Sequence, residues 1–93
     1  MKWLVLLVVL IASGASAVPR LDGQVNINEA SIAQLSLLPG IGPKRAKAIV
    51  SLRQKRPFRR AVQLRRVRGI GRRTLRKMLP FIRLEGPSDL RRF

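Results

Sequence analysis

Offset against itself by 29 residues, the second half of this chain reproduces the first. Gln34-Leu35 falls on Gln63-Leu64, Leu38 on Val67, Gly40-Ile41-Gly42 on Gly69-Ile70-Gly71, Lys44 on Arg73, Lys47 on Arg76, Ile49 on Met78 and Val50 on Leu79. Apolar, glycine and basic character stay in register around three consecutive identities, the mark of a duplicated supersecondary unit. The fold must therefore come from two copies of one short element that share a core.

Each copy reads as helix, glycine turn, helix. In the first, Ser31 precedes Ile32 and Gln34 lies three residues on, a capping-box pattern. Ile32, Leu35 and Leu38 are spaced for one helical face. Pro39 stops that helix, Gly40-Ile41-Gly42 turns the chain, and Pro43 suits the first position of the next helix, where a missing N–H costs nothing. That helix is predicted to run to about Gln54, with Ala46, Ile49 and Val50 facing inward. A linker, 55–59, carries Phe58 as a core plug. The second unit is predicted as a helix over Arg60–Val67 with Ala61, Leu64 and Val67 inward, a turn at Gly69-Ile70-Gly71, and a last helix over Arg72–Leu79 with Leu75, Met78 and Leu79 inward. Pro80 ends it, with Phe81 and Ile82 packed beneath. No stretch alternates apolar and polar residues long enough to predict a strand. The expected class is all-α, with four to five short helices in two pseudo-repeats.

Charge narrows the partners. Twenty Lys and Arg stand against Asp22, Glu29, Glu85 and Asp89, a formal net charge of +16 in 93 residues. Self-repulsion at that density opposes compaction and calls for a polyanionic partner: nucleic acid, anionic lipid or acidic polysaccharide. The absence of Cys and His removes disulfides, thiol nucleophiles and the commonest general base. Four scattered carboxylates do not suit the ion cluster of a metal-dependent nuclease. The expectation is a non-enzyme with neither cofactor nor metal.

The glycine turns supply a chemistry for that charge. Each opens onto a helix N-terminus, where the first N–H groups lack intrahelical partners and the dipole favours an anion. A side chain at the glycines would hold a phosphate away from those donors. Ile41 and Ile70 are expected to point between the helices and lock the turns. Cations follow at once: Lys44 and Arg45 in the first unit, Arg72 and Arg73 in the second, with Lys47 and Arg76 in register behind them. Backbone donors, dipole and cations converge as in a phosphate site. A dinucleotide fingerprint fails for want of a third glycine and a preceding strand, and a P-loop fails for want of its spacer. The run Arg53, Lys55, Arg56, Arg59 and Arg60 reads equally as solvated surface or as phosphate contact. Arg65, Arg66 and Arg68 set the long-range field. Few aromatics are available to stack on splayed bases, which favours duplex over single strands.

The N-terminus reads as an address. Lys2 is a short basic region, Trp3–Ala12 an unbroken apolar run, and Ala15-Ser16-Ala17 an A-x-A cleavage pattern, the layout of a secretory signal peptide. The run is about half the ~20 residues needed to span a bilayer. Cleavage after Ala17 removes only one charge, Lys2, and leaves 76 residues carrying +15. The predicted layout is a signal peptide (1–17), an extension (18–24), a double-unit domain (25–84) and a flexible basic tail (85–93).

The segment Val25–Ile82 resembles the ComEA family of competence DNA-uptake proteins. The matching residues are VNINEAS at 25–31, LPGIGPKRAKAI at 38–49, PF at 57–58 and VRGIGRRTLRKMLPFI at 67–82. The resemblance implies a double helix-hairpin-helix domain whose hairpins contact the sugar-phosphate backbone of double-stranded DNA, one on each strand across the minor groove. It implies capture of incoming DNA outside the inner membrane during natural transformation, with other components of an uptake machine as further partners. Carried over by position, the contacts are Gly40, Gly42, Lys44 and Arg45, then Gly69, Gly71, Arg72 and Arg73. The chain departs from the family where Arg60 replaces a small cap such as Ser, where Val62 and Gln63 replace acids, and where Arg72 replaces a proline. A less well capped third helix is expected. The functional expectation is a periplasmic or cell-surface receptor for duplex DNA, independent of sequence, with no stable membrane insertion of the mature chain. A protein-docking hairpin module and a secreted cationic protein acting on anionic membranes are the rival classes.

Overall fold

The computed structural model describes residues 20–92; the predicted signal peptide and its cleavage site lie outside the described residues. The described chain is mainly helical. In order it runs β1 (Leu21–Asp22), β2 (Val25–Asn26), α1 (Ile32–Ser36), α2 (Gly42–Lys55), a 3-10 helix (Ala61–Arg66), α3 (Arg72–Met78), a 3-10 turn (Leu79–Phe81), β3 (Ile82–Arg83) and β4 (Arg91–Arg92).

The first unit forms much as its sequence dictates. Ser31 caps α1, its Oγ accepting from the Gln34 N–H at 3.1 Å. The reciprocal arm of the capping box is missing: the Gln34 Oε1 is buried with no hydrogen-bond partner. Ile32, expected on the apolar face, is 39% exposed because it opens a helix only five residues long. Pro43 falls at the second rather than the first position of α2. Ala46 and Ile49 are buried on that helix and Val50 is half-buried.

The second unit winds differently. Where a regular helix is predicted over 60–67, residues Ala61–Arg66 form a 3-10 helix. Its apolar residues suit this winding as well as a regular helix. Ala61, Leu64 and Val67 are spaced by three, and in a 3-10 helix residues three apart eclipse along one line. Leu64 and Val67 are buried and Ala61 half-buried. The poor cap expected at Arg60 is also remedied. Gln63 Oε1 reaches back and accepts from the N–H groups of Arg59 (2.8 Å) and Arg60 (3.4 Å). At the end of α3 the winding tightens again, and Leu79, predicted inward, is 46% exposed while Ile82 is buried.

Short strands, absent from the sequence reading, tie the two ends together. β2 pairs with β3 in parallel, Val25 opposite Ile82. β1 pairs with β4 antiparallel, Leu21 opposite Arg92. Pairs of two residues cannot display alternation, so no period announced them. The C-terminal segment, predicted as a flexible tail, packs back through residues 85–92. Leu90 is buried, the Asp89 N–H donates to Gln24 O at 2.8 Å, and the Gln24 N–H donates to Asp89 Oδ1 at 2.7 Å. What holds it is local pairing and one apolar anchor.

Two asparagines fasten this closure. Asn26 is buried; its Nδ2 donates to Gly86 O at 2.8 Å and its Oδ1 accepts from the Asn28 N–H at 2.9 Å. Asn28 donates to Phe58 O (2.8 Å) and Leu84 O (3.2 Å) and accepts from the Phe58 N–H (2.7 Å). One side chain thus joins the N-terminal segment, the linker and the C-terminal segment. Phe58 itself is buried in a core that also holds Val25, Ile27, Leu35, Ile49, Leu64 and Met78. Asn28→Ala strips partners from three backbone groups at once. It should lower unfolding free energy by about 2–3 kcal/mol, the range for part-buried groups left unpaired, as measured by urea denaturation.

Candidate functional site

Both glycine turns are closed by the same backbone bonds. In the first, Leu38 N donates to Leu35 O (3.1 Å) and Ile41 N to Leu38 O (3.1 Å); in the second, Val67 N donates to Leu64 O (3.0 Å) and Ile70 N to Val67 O (3.0 Å). Gly40 and Gly69 sit at the third position of these turns with φ of +77° and +94°. That is the left-handed region which a type II turn requires at this place, and in the first turn Pro39 precedes it as such turns favour. Ile41 and Ile70 are both buried, so each turn is anchored from within by its central residue.

The glycines divide into two kinds. A Cβ on Gly40 would crowd the Thr74 methyl at 3.0 Å, and one on Gly69 would overlap the Arg45 guanidinium. These glycines let each turn approach the helix of the other unit. A Cβ on Gly42 or Gly71 would meet nothing. Those two face open space at the start of α2 and α3, where a ligand has room. Gly42 has φ +66°, whereas Gly71 has φ −96° and ψ −171°, extended backbone open to any residue.

Neither α2 nor α3 is capped by a side chain, in contrast to α1 with Ser31. Their first N–H groups lack intrahelical acceptors. Exposed cations surround them: Lys44 and Lys47 on α2, Arg72, Arg73 and Arg76 on α3. Lys44 with Lys47, and Arg73 with Arg76, are three apart and share a helix face. No acid occurs between Ala30 and Leu84, so nothing nearby neutralises this field.

Arg45 differs from its neighbours. Its Nη1 donates to Gly40 O at 2.6 Å, and its guanidinium lies over Gly69. It bridges the two turns, a role its sequence position did not reveal. A cleft of about 340 Å³ between the units is lined by Lys44, Arg45, Ala48, Arg68 and Gly69, which brings Lys44 and Arg45 of α2 to the second turn. Arg53, by contrast, leaves the candidate surface: its Nη1 donates to Ile27 O (3.2 Å) and Ala30 O (2.7 Å). Arg45→Ala should destabilise the fold by about 1 kcal/mol, a typical net value for such a hydrogen bond when partly solvated. Lys44→Ala should leave the urea midpoint unchanged, since its side chain is exposed.

A protein of Haemophilus influenzae described as uncharacterized is 46% identical over 56 residues, 58% of this chain and 50% of that protein's length. The chain thus spans about half of that relative. A family profile described as "Helix-hairpin-helix motif" matches residues 22–83, which include both glycine turns and every candidate contact. On that match, which covers well over half of its length, the chain belongs to the helix-hairpin-helix motif family.

Proposed function

We propose that this protein is an exported, non-catalytic receptor for double-stranded DNA that holds the phosphate backbone through both glycine turns without reading base sequence. The observation that carries this reading is the pair of open glycines, Gly42 and Gly71, each at an uncapped helix start beside exposed cations. Backbone donors reach a phosphate where no side chain intervenes, and the cations add charge-assisted contacts. Helix-hairpin-helix motifs commonly bind DNA, in accord with this chemistry.

The two turns act as equivalent halves of a duplicated unit. In support, their closing bonds match at the 29-residue offset, and so do the cross-contacts Gly40 to Thr74 and Gly69 to Arg45. Two equivalent grips related in this way suit the two strands of a duplex. The resemblance to competence proteins supports uptake of DNA as the biological setting, and the A-x-A pattern at Ala15-Ser16-Ala17 supports export to the periplasm or cell surface. Base readout favours side chains such as Asn or Gln beside Arg on a helix in the major groove. The candidate contacts instead consist of glycine, Lys and Arg.

Lys44→Ala with Arg73→Ala should flatten the dependence of log K on log salt by roughly two units for a random duplex, about one per lost phosphate contact. Gly71→Ala should keep the fold, given its extended backbone, yet weaken binding with the salt slope nearer to wild type, because the cations remain. Unchanged affinity in both variants would return the turns to a purely structural role. Discrimination among random duplexes above ~100-fold would contradict backbone recognition. Protein from the native host should begin at Val18; retention of Met1 would remove the export reading.

A further inference from the structure

The strands β1 and β4 lie largely outside the segment that defines the family, which ends at residue 83. They nevertheless reach the first glycine turn. A cleft of about 610 Å³ opens there, with Arg20, Arg92 and Arg45 among its walls and Gly40 and Gly42 at its edge. No acidic residue lines it.

The ribbon is built so that its charges separate. Leu21 stands opposite Arg92 and Asp22 opposite Arg91. Successive residues of a strand point to opposite faces. Leu21 and Arg92 therefore share the face on the cleft, and Arg20, which precedes the strand and is not bound by its alternation, lines the cleft as well. Asp22 and Arg91 share the other, where their side chains are paired at 3.7 Å. The one carboxylate of the ribbon is turned away from the cleft, and the cation opposite Leu21 is turned into it. The ribbon's position is fixed by Gly23. With φ +90°, a Cβ there would overlap the Asp89 carbonyl, so only glycine allows the two ends to close. The Ser88 Oγ accepts from the Asn26 N–H at 2.8 Å and holds the returning strand.

We infer that the terminal ribbon is a second, lateral phosphate site, in which Arg20 and Arg92 engage the DNA backbone beyond the phosphate held at the first glycine turn. This rests on the DNA-binding reading above and extends it. The cleft is continuous with Gly40 and Gly42, so a backbone leaving that turn enters it, and its lining has the complementary charge. The cleft at the second turn draws its cations, Lys44, Arg45 and Arg68, from within the hairpin units. The ribbon's two arginines therefore add to the grip of the first hairpin from outside the hairpin units.

The test compares two variants of equal charge. One carries Arg20→Ala and Arg92→Ala. The other carries Lys55→Ala and Arg56→Ala, at the far end of α2, about 21 Å along the helix from the first turn. Binding to a random 20-base-pair duplex is followed by fluorescence anisotropy at several salt concentrations, with folding checked by circular dichroism. The ribbon variant should lose about two units of salt slope, close to 0.9 per phosphate contact, and the far-end variant distinctly less. A charge-neutral variant, Gly23→Val, should lower affinity as the ribbon variant does by displacing the same arginines. An unchanged slope in the ribbon variant, or equal losses in both pairs, overturns the inference while the hairpin reading stands. Absence of salt-dependent duplex binding by the wild-type protein overturns both.

Discussion

Gly40 meets the Thr74 methyl and Gly69 lies under the Arg45 guanidinium, and at both places a side chain would crowd its neighbour. This mutual approach of each turn to the other unit's helix is the constraint on which the rest depends. It fixes the distance between the two turns, and so between any two phosphates they could hold together. Glycine is needed at those positions for their left-handed backbone, φ +77° and +94°, a reason separate from ligand access. The buried Ile41 and Ile70 then prevent the turns from rotating away. Arg45 completes the arrangement by joining the carbonyl of one turn to the face of the other.

The fold manages a large positive charge without using its few acids near the turns. The inward-reaching arginines are met by neutral acceptors. Arg45 donates to Gly40 O, Arg53 to Ile27 O and Ala30 O, and Arg83 to Gln24 Oε1 and Pro87 O. A carbonyl satisfies a guanidinium's hydrogen bonds without cancelling its charge. The Asp22–Arg91 pair sits on the exposed ribbon, where such pairs contribute little to stability. The field over the two turns is therefore left intact for a polyanion, and stability rests on apolar burial and on the asparagine clips.

Much of this was legible in the residues. The two glycine turns, the buried isoleucines and the Phe58 plug follow from spacing and residue type. The second unit's first helix departs from the regular winding its sequence suggests because apolar residues at 61, 64 and 67 satisfy both a helical face and a 3-10 line, and only packing against the core selects between them. The closure of the ends was invisible. Strands of two residues carry no period, and Leu90 amid Gly86, Pro87 and two arginines resembles a loose end rather than an anchor. The separate roles of Gly40 and Gly42 could not be told apart either, since both are needed but one faces protein and the other faces space. Arg45 reads from its position as a phosphate contact beside Lys44, and only its carbonyl partner reveals that it bridges the two turns.

Backbone amide chemical shifts during titration with a short random duplex test the central claim most directly, because they report on the donors themselves. Phosphate binding at both turns predicts the largest changes at the N–H groups of Gly42, Lys44, Gly71, Arg72 and Arg73, growing in parallel as duplex is added. Changes confined to the exposed run from Lys55 to Arg60, with the two turns unmoved, would contradict it.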